Sequence, residues 1–200
     1  MQYLWLSVLW ISYFIIHGVL AATAVKNRFK AMNISPVRYR LVYNIIALLL
    51  LLPIIFYSSA VESEYVFVPG KMTKFAGLLA AGWGIVIARA AFKSYDTKAF
   101  LGLHSLEKEN EFATSGLLKY VRHPLYAGSI LFVIGYFLYT PKLSSLISSS
   151  LIIVYFLVGI HFEEKKLISQ FGQAYLDFKK STPMLIPRFS KRQKKSPESQ

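Results

Sequence analysis

The stretch from Pro124 to Ile160, PLYAGSILFVIGYFLYTPKLSSLISSSLIIVYFLVGI, decides the fold, because its only formal charge is Lys142. One helix of that length would run about 55 Å, well past a hydrocarbon core of about 30 Å. Pro141 and Lys142 interrupt it near the middle, so the sequence predicts two antiparallel helices, Leu125 to Thr140 and Leu143 to Ile160, joined by a tight turn. Each is slightly short for a full crossing, which leaves a re-entrant hairpin as the alternative.

Upstream, three more apolar stretches are long enough to span. Tyr3 to Val25 is the first; no Lys or Arg precedes it and Lys26, Arg28 and Lys30 follow it, the reverse of a signal peptide's charge order. It is read as a mature span. The second runs from about Tyr39 to Ser58, with Pro53 as an expected kink. Met72 to Phe92, the third, is rich in small residues. Gly77 with Ala81, Ala80 with Gly84, and Gly84 with Ala88 are pairs four apart that let another helix approach closely, so a central packing helix is expected. Arg89 at its end can snorkel to the interface.

Composition agrees with an all-α membrane bundle. The 200 residues are 54% hydrophobic and 16% charged, with a net charge of +13. Basic residues lie in short segments between apolar runs, so the lipid bilayer and its anionic headgroups are the expected partners, and nucleic acid is not. With no cysteine, disulfides, thiolate catalysis and Cys-ligated zinc are excluded. No two of the four histidines have the helical spacing of a metal pair, and no metal is expected.

Positive residues alternate between loops. The first loop holds Lys26, Arg28, Lys30, Arg38 and Arg40, and the second only Lys71 beside Glu62 and Glu64; the third is basic, the fourth has Lys142 alone, and the tail is strongly basic. Five spans follow, with the N-terminus outside and the C-terminus cytoplasmic. The expected organisation is one membrane domain over 1–190, comprising a three-span part (1–94) and a second part (95–188), then a disordered basic tail over 191–200. Such a chain is a multi-pass membrane protein, in the inner membrane if bacterial.

Chemistry is expected where the long apolar run begins. Tyr120-Val121-Arg122-His123-Pro124-Leu125-Tyr126-Ala127-Gly128 sets a charged, helix-breaking cluster against the membrane, with Pro124 acceptable as a first helical residue. Arg122 and His123 have a plain reading as interfacial anchors. Beyond the fifth span, Glu163 and Glu164 are costly unless they meet water, cations or a ligand; which of them faces inward is not readable from the sequence, and Glu163 is the preferred one. Phe171-Gly172 and Tyr175 follow, and Pro183 and Pro187 suggest an extended segment packing back on the bundle.

These motifs resemble the isoprenylcysteine carboxyl methyltransferase family of integral membrane enzymes, from near Phe100 to Arg188. The resemblance implies binding of S-adenosyl-L-methionine between the Arg122 junction and the C-terminal segment. It implies Arg122 and His123 as catalytic candidates, and Tyr120, Arg122, His123, Pro124, Tyr126, Gly128, Glu163, Glu164, Leu167 and Tyr175 as cofactor-binding candidates. Arg122 would pair with the cofactor's carboxylate, and a glutamate would accept from its hydroxyl or amino groups. Gly128 would permit close backbone approach, or serve helix packing. The family commonly has a tyrosine where this chain has Phe178. The segment from His17 to Lys26, followed by Arg38-Tyr39-Arg40, looks like the first loop region of the related NnrU family and of methanethiol methyltransferases.

The expected activity is methyl transfer to a lipophilic or small thiol, carboxylate or amine acceptor at the cytoplasmic face, the acceptor being decided by the loop from Tyr95 to Phe112 and the inner faces of the first three spans. A catalytically silent NnrU-type protein and an NADPH-dependent membrane reductase are the alternatives. His17 and Asn44 lie inside spans, where interhelical hydrogen bonding outweighs a functional role. His104, Ser105 and Glu107 make no convincing triad.

Overall fold

A computed structural model describes residues 1–93, Leu103 and 114–188. The loop from Tyr95 to Phe112, His104, Ser105, Glu107 and the tail after Lys191 lie outside those residues, apart from Leu103 itself. All regular structure among the described residues is helical: α1 (Gln2–Ala21), α2 (Thr23–Ala31), α3 (Pro36–Ala60), α4 (Lys71–Phe92), a 3-10 turn (Gly116–Lys119), α5 (Pro124–Tyr139), α6 (Leu143–Phe171) and α7 (Gln173–Ser181).

Four helices, α1, α3, α4 and α6, are long and apolar enough to cross a membrane, while α5, at 16 residues, is a shorter apolar helix. A helix of that length rises about 24 Å, short of a full hydrocarbon core. Its hairpin partner compensates, since α6 runs 29 residues and carries its polar last turns beyond the apolar stretch that ends at Ile160.

The first apolar stretch is broken earlier than its composition suggests. Ala22 takes an extended conformation with ψ 139°, so α1 stops there and Thr23 starts the basic helix α2, which buries nothing. Asn33 then adopts φ 60° in the turn to α3, a conformation asparagine tolerates better than most residues. The Ser35 hydroxyl caps α3 by accepting from the Arg38 amide at 3.2 Å, and Pro36 opens the helix.

α6 is the organising helix. It packs against α1, α3, α5 and α7, whereas α4 packs on α5 and borders the 3-10 turn. The expectation of a central α4 is therefore corrected: its small residues serve one partner. A Cβ on Gly77 would lie 2.8 Å from the Gly135 carbonyl oxygen, and one on Gly84 would lie 2.6 Å from that of Gly128. The two backbones touch along this seam. Gly82 meets nothing within 4 Å and plays no part in it.

The α1, α3 and α6 contact is built differently. Leu6, Trp10 and Ile54 form a buried cluster, and the Trp10 indole donates to the Ser148 hydroxyl at 3.0 Å. Further along α1, the His17 ring sits between two phenols, with Nε2 2.6 Å from the Tyr43 oxygen and Nδ1 2.5 Å from that of Tyr155. The interhelical hydrogen bonding expected of His17 is what the structure shows. At the end of the bundle where α1 and α6 begin, the α3 to α4 loop pairs with the hairpin turn: Val66 donates to Pro141 at 2.8 Å and Leu143 to Glu64 at 2.9 Å.

Candidate active site

The opposite end of α6 gathers the sequence's charged candidates. α6 leaves its apolar stretch at Ile160, and the helical rotation of about 100° between neighbours allows only one of Glu163 and Glu164 to face inward. Glu164 does. It is buried, whereas Glu163 is only partly so, which corrects the preference for Glu163.

Arg122 and His123 reach Glu164 from the segment that precedes α5. The Arg122 Nε and Nη2 lie 2.8 Å from Glu164 Oε1. His123 Nε2 lies 3.2 Å from the same oxygen. Lys179, on α7, takes the other oxygen at 2.6 Å. With side-chain exposures of 8% for Arg122 and 9% for Glu164 against 41% for Lys179, the first two are locked together while the lysine faces solvent. Burial alone would raise the Glu164 carboxyl. Hydrogen bonds from Lys179, His123 and Arg122 outweigh it and hold the group at about 2.

Arg122 does more than neutralise that carboxylate. Its Nη1 donates to the carbonyls of Lys179 at 3.0 Å and Thr182 at 2.5 Å, and its amide donates to Pro183 at 2.9 Å. The His123 amide donates to Met184 at 3.1 Å. The segment around Pro183 thus packs back as the sequence suggests, tied to the residues just before α5. Nε, Nη1 and Nη2 are thus all engaged by protein acceptors, and Arg122 ties Glu164 to the end of α7.

The other candidates separate into those near the cluster and those away from it. Tyr175 is essentially fully buried; burial first, and then the Glu164 charge, push its phenol up. Tyr126 stands edge-on to His123, ring centroids 5.8 Å apart, and its hydroxyl lies 3.4 Å from where a Cβ on Gly159 would be. Pro124 is buried as the first residue of α5. Leu167 is partly buried and Tyr120 is exposed. Gly128 lies on the α4 to α5 seam, where a Cβ would sit 2.7 Å from the Ala88 nitrogen. Phe178 keeps ring contact with Tyr175, centroids 6.1 Å apart, without offering a hydroxyl.

Two members of the cluster were not among the sequence candidates, Lys179 and Thr182. The signal for them is spacing: Tyr175, Lys179 and Thr182 follow at four and then three residues, one face of a helix and its exit.

A family model for phospholipid methyltransferases matches residues 72–174, just over half of the chain. Among curated proteins, a methanethiol S-methyltransferase of Crocosphaera subtropica is 33% identical over 126 residues, covering 59% of this chain and 48% of that protein. Another from a Pseudomonas species is 33% identical over 124 residues, 56% of this chain and 46% of that one. The protein-S-isoprenylcysteine O-methyltransferase of Schizosaccharomyces pombe is 35% identical over 81 residues, 40% of this chain and 34% of that one. The matches to the methanethiol enzymes thus span about half the length of those relatives. No solved structure gives a significant match.

Proposed function

The chain belongs to the phospholipid methyltransferase family, and from that premise we propose that it is an S-adenosylmethionine-dependent membrane methyltransferase working at the Arg122, His123, Glu164 and Tyr175 cluster. The observation that carries the reading is Glu164, a buried carboxylate whose second oxygen is held by a half-exposed lysine. A ligand hydroxyl or ammonium can take the place of Lys179 on Oε2 without disturbing Oε1, and the released lysine can meet a ligand carboxylate. This donor set suits a molecule with ribose hydroxyls and an amino acid end. Arg122 holds Glu164 and the Pro183 segment in register, and Tyr175 keeps water from the inner side of the carboxylate.

When bound, S-adenosylmethionine supplies a methyl carbon activated by its sulfonium. The chain's task is then alignment, desolvation and charge complementarity. A carboxylate acceptor needs no base. For a thiol or amine acceptor, His123 is the nearest group that can take the proton: with Nε2–H donated to Glu164, Nδ1 is the nitrogen left to accept it. The acceptor class is a lipophilic molecule or a small thiol, carboxylate or amine, reaching the site from the bilayer. Basic residues gathered at this end of the bundle support a cytoplasmic site with the N-terminus outside.

Thermal stability of the detergent-purified protein with S-adenosylmethionine, S-adenosylhomocysteine and NADPH tests the reading, because binding to the folded state raises apparent stability. Stabilisation by the two adenosyl compounds alone is expected. Stabilisation by NADPH alone, or by none of the three, would overturn it.

A further inference from the structure

A cleft of about 330 Å3 opens between α1, α2 and α3, at the small end of the range for ligand pockets. It is separate from the cluster above, which is built on α5, α6 and α7. Leu20, Ile34, Val42 and Ile46 supply aliphatic walls, and Phe29 closes one side against Tyr39 with ring centroids 5.0 Å apart. The polar tips of its two tyrosines are engaged in the bundle: the Tyr39 hydroxyl donates to the Leu20 carbonyl at 2.6 Å, and that of Tyr43 lies 2.6 Å from His17 Nε2. They offer the cleft their ring faces.

The lining surface is wholly apolar, so Arg38 gives the cleft only the aliphatic part of its side chain; the residue is exposed and has no side-chain hydrogen bond or ion pair among the described residues. It stands in the first turn of α3, where the helix dipole favours an anion. From Ala22 to Arg40 the chain carries Lys26, Arg28, Lys30, Arg38 and Arg40 and not one acid. An apolar slot under a cationic rim, at the membrane boundary, is complementary to an amphiphile with an anionic head.

We propose that this cleft binds one anionic phospholipid of the surrounding bilayer, an acyl chain lying against Val42 and Ile46 and the phosphate on Arg38. Its occupant is a fixed lipid rather than the methyl acceptor, because α6 stands between the α1 and α3 pair and the α5 contacts of His123. Neighbouring basic side chains of α2 add long-range attraction but do not make the site.

Native mass spectrometry and thermal melting of the full chain in neutral detergent, titrated with dioleoylphosphatidylglycerol, dioleoylphosphatidylcholine or glycerol 3-phosphate, test this. Phosphatidylglycerol should be retained as one tight copy and raise the melting temperature; the other two should not. Arg38→Gln should weaken that copy about tenfold, and Val42→Trp should abolish it by filling the slot, with the response to S-adenosylhomocysteine intact in both. If Val42→Trp fails to fold, Arg38→Gln decides alone. Equal retention of phosphatidylcholine, stabilisation by glycerol 3-phosphate, or unchanged retention in Arg38→Gln would overturn the proposal. So would recovery of a methylated lipid from the cleft, which would make it the acceptor pocket.

Discussion

The α4 to α5 seam and the α1, α3 and α6 contact solve the same problem in opposite ways. At the first, glycines let two backbones touch, and no side chain stands between Gly84 and the Gly128 carbonyl. At the second, large rings and hydroxyls fill the space, from Trp10 on Ser148 to His17 between Tyr43 and Tyr155. Lipid tails are as apolar as leucine, so neither seam gains much from the hydrophobic effect, and each relies on contact or hydrogen bonds. The difference is in tolerance. A backbone seam has no atom to move aside, whereas a ring cluster can lose one partner and repack.

The largest effect should therefore come from Gly84→Leu, which should cost about 3 kcal/mol or more by overpacking a seam that cannot yield. Detergent melting of the variant should show loss of a cooperative transition; a melt like that of the parent would dissolve the contrast. Glu164→Ala comes next. It strands the buried Arg122 charge, a loss of about 3 kcal/mol for a broken buried pair, and should expose the Pro183 segment to protease, while Glu163→Ala should leave the cleavage pattern unchanged.

Acid should act through the same carboxylate. Its folded value of about 2 lies below the ordinary 4.5, so its stabilisation is complete above about pH 4.5 and is lost as the pH falls through the folded value. Melting temperatures in Glu164→Gln should lack that acid dependence.

Smaller changes are expected across the ring cluster. His17→Phe preserves ring contact but removes hydrogen bonds to two hydroxyls, for about 1–2 kcal/mol. Trp10→Phe gives up only the bond to Ser148, and should cost about 0.6 kcal/mol, the average found for such bonds in membranes. A cost above that of Gly84→Leu for either one would reverse the comparison.

Sequence showed the apolar helices, four of them long enough to cross a membrane and the fifth shorter, the hairpin turn at Pro141 and Lys142, the start of α5 at Pro124 and the return of the Pro183 segment, because apolar runs and prolines act locally. It showed that α4 is made for close contact but not with what, since Gly82 and Gly84 look alike until a partner's position selects a face. The choice between Glu163 and Glu164 depended on helix phase, which adjacent identical residues cannot reveal. The carbonyl partners of Arg122 were not legible, because they come from residues about sixty positions away. The early end of α1 at Ala22 was hidden by an apolar composition that continues to Val25.

The most direct test is the dissociation constant of S-adenosylhomocysteine for the parent, Glu163→Gln and Glu164→Gln, measured at neutral pH and well below the melting temperature of each. The account predicts a loss of about tenfold or more for Glu164→Gln and little change for Glu163→Gln. Full affinity in Glu164→Gln, or a loss confined to Glu163→Gln, would contradict it.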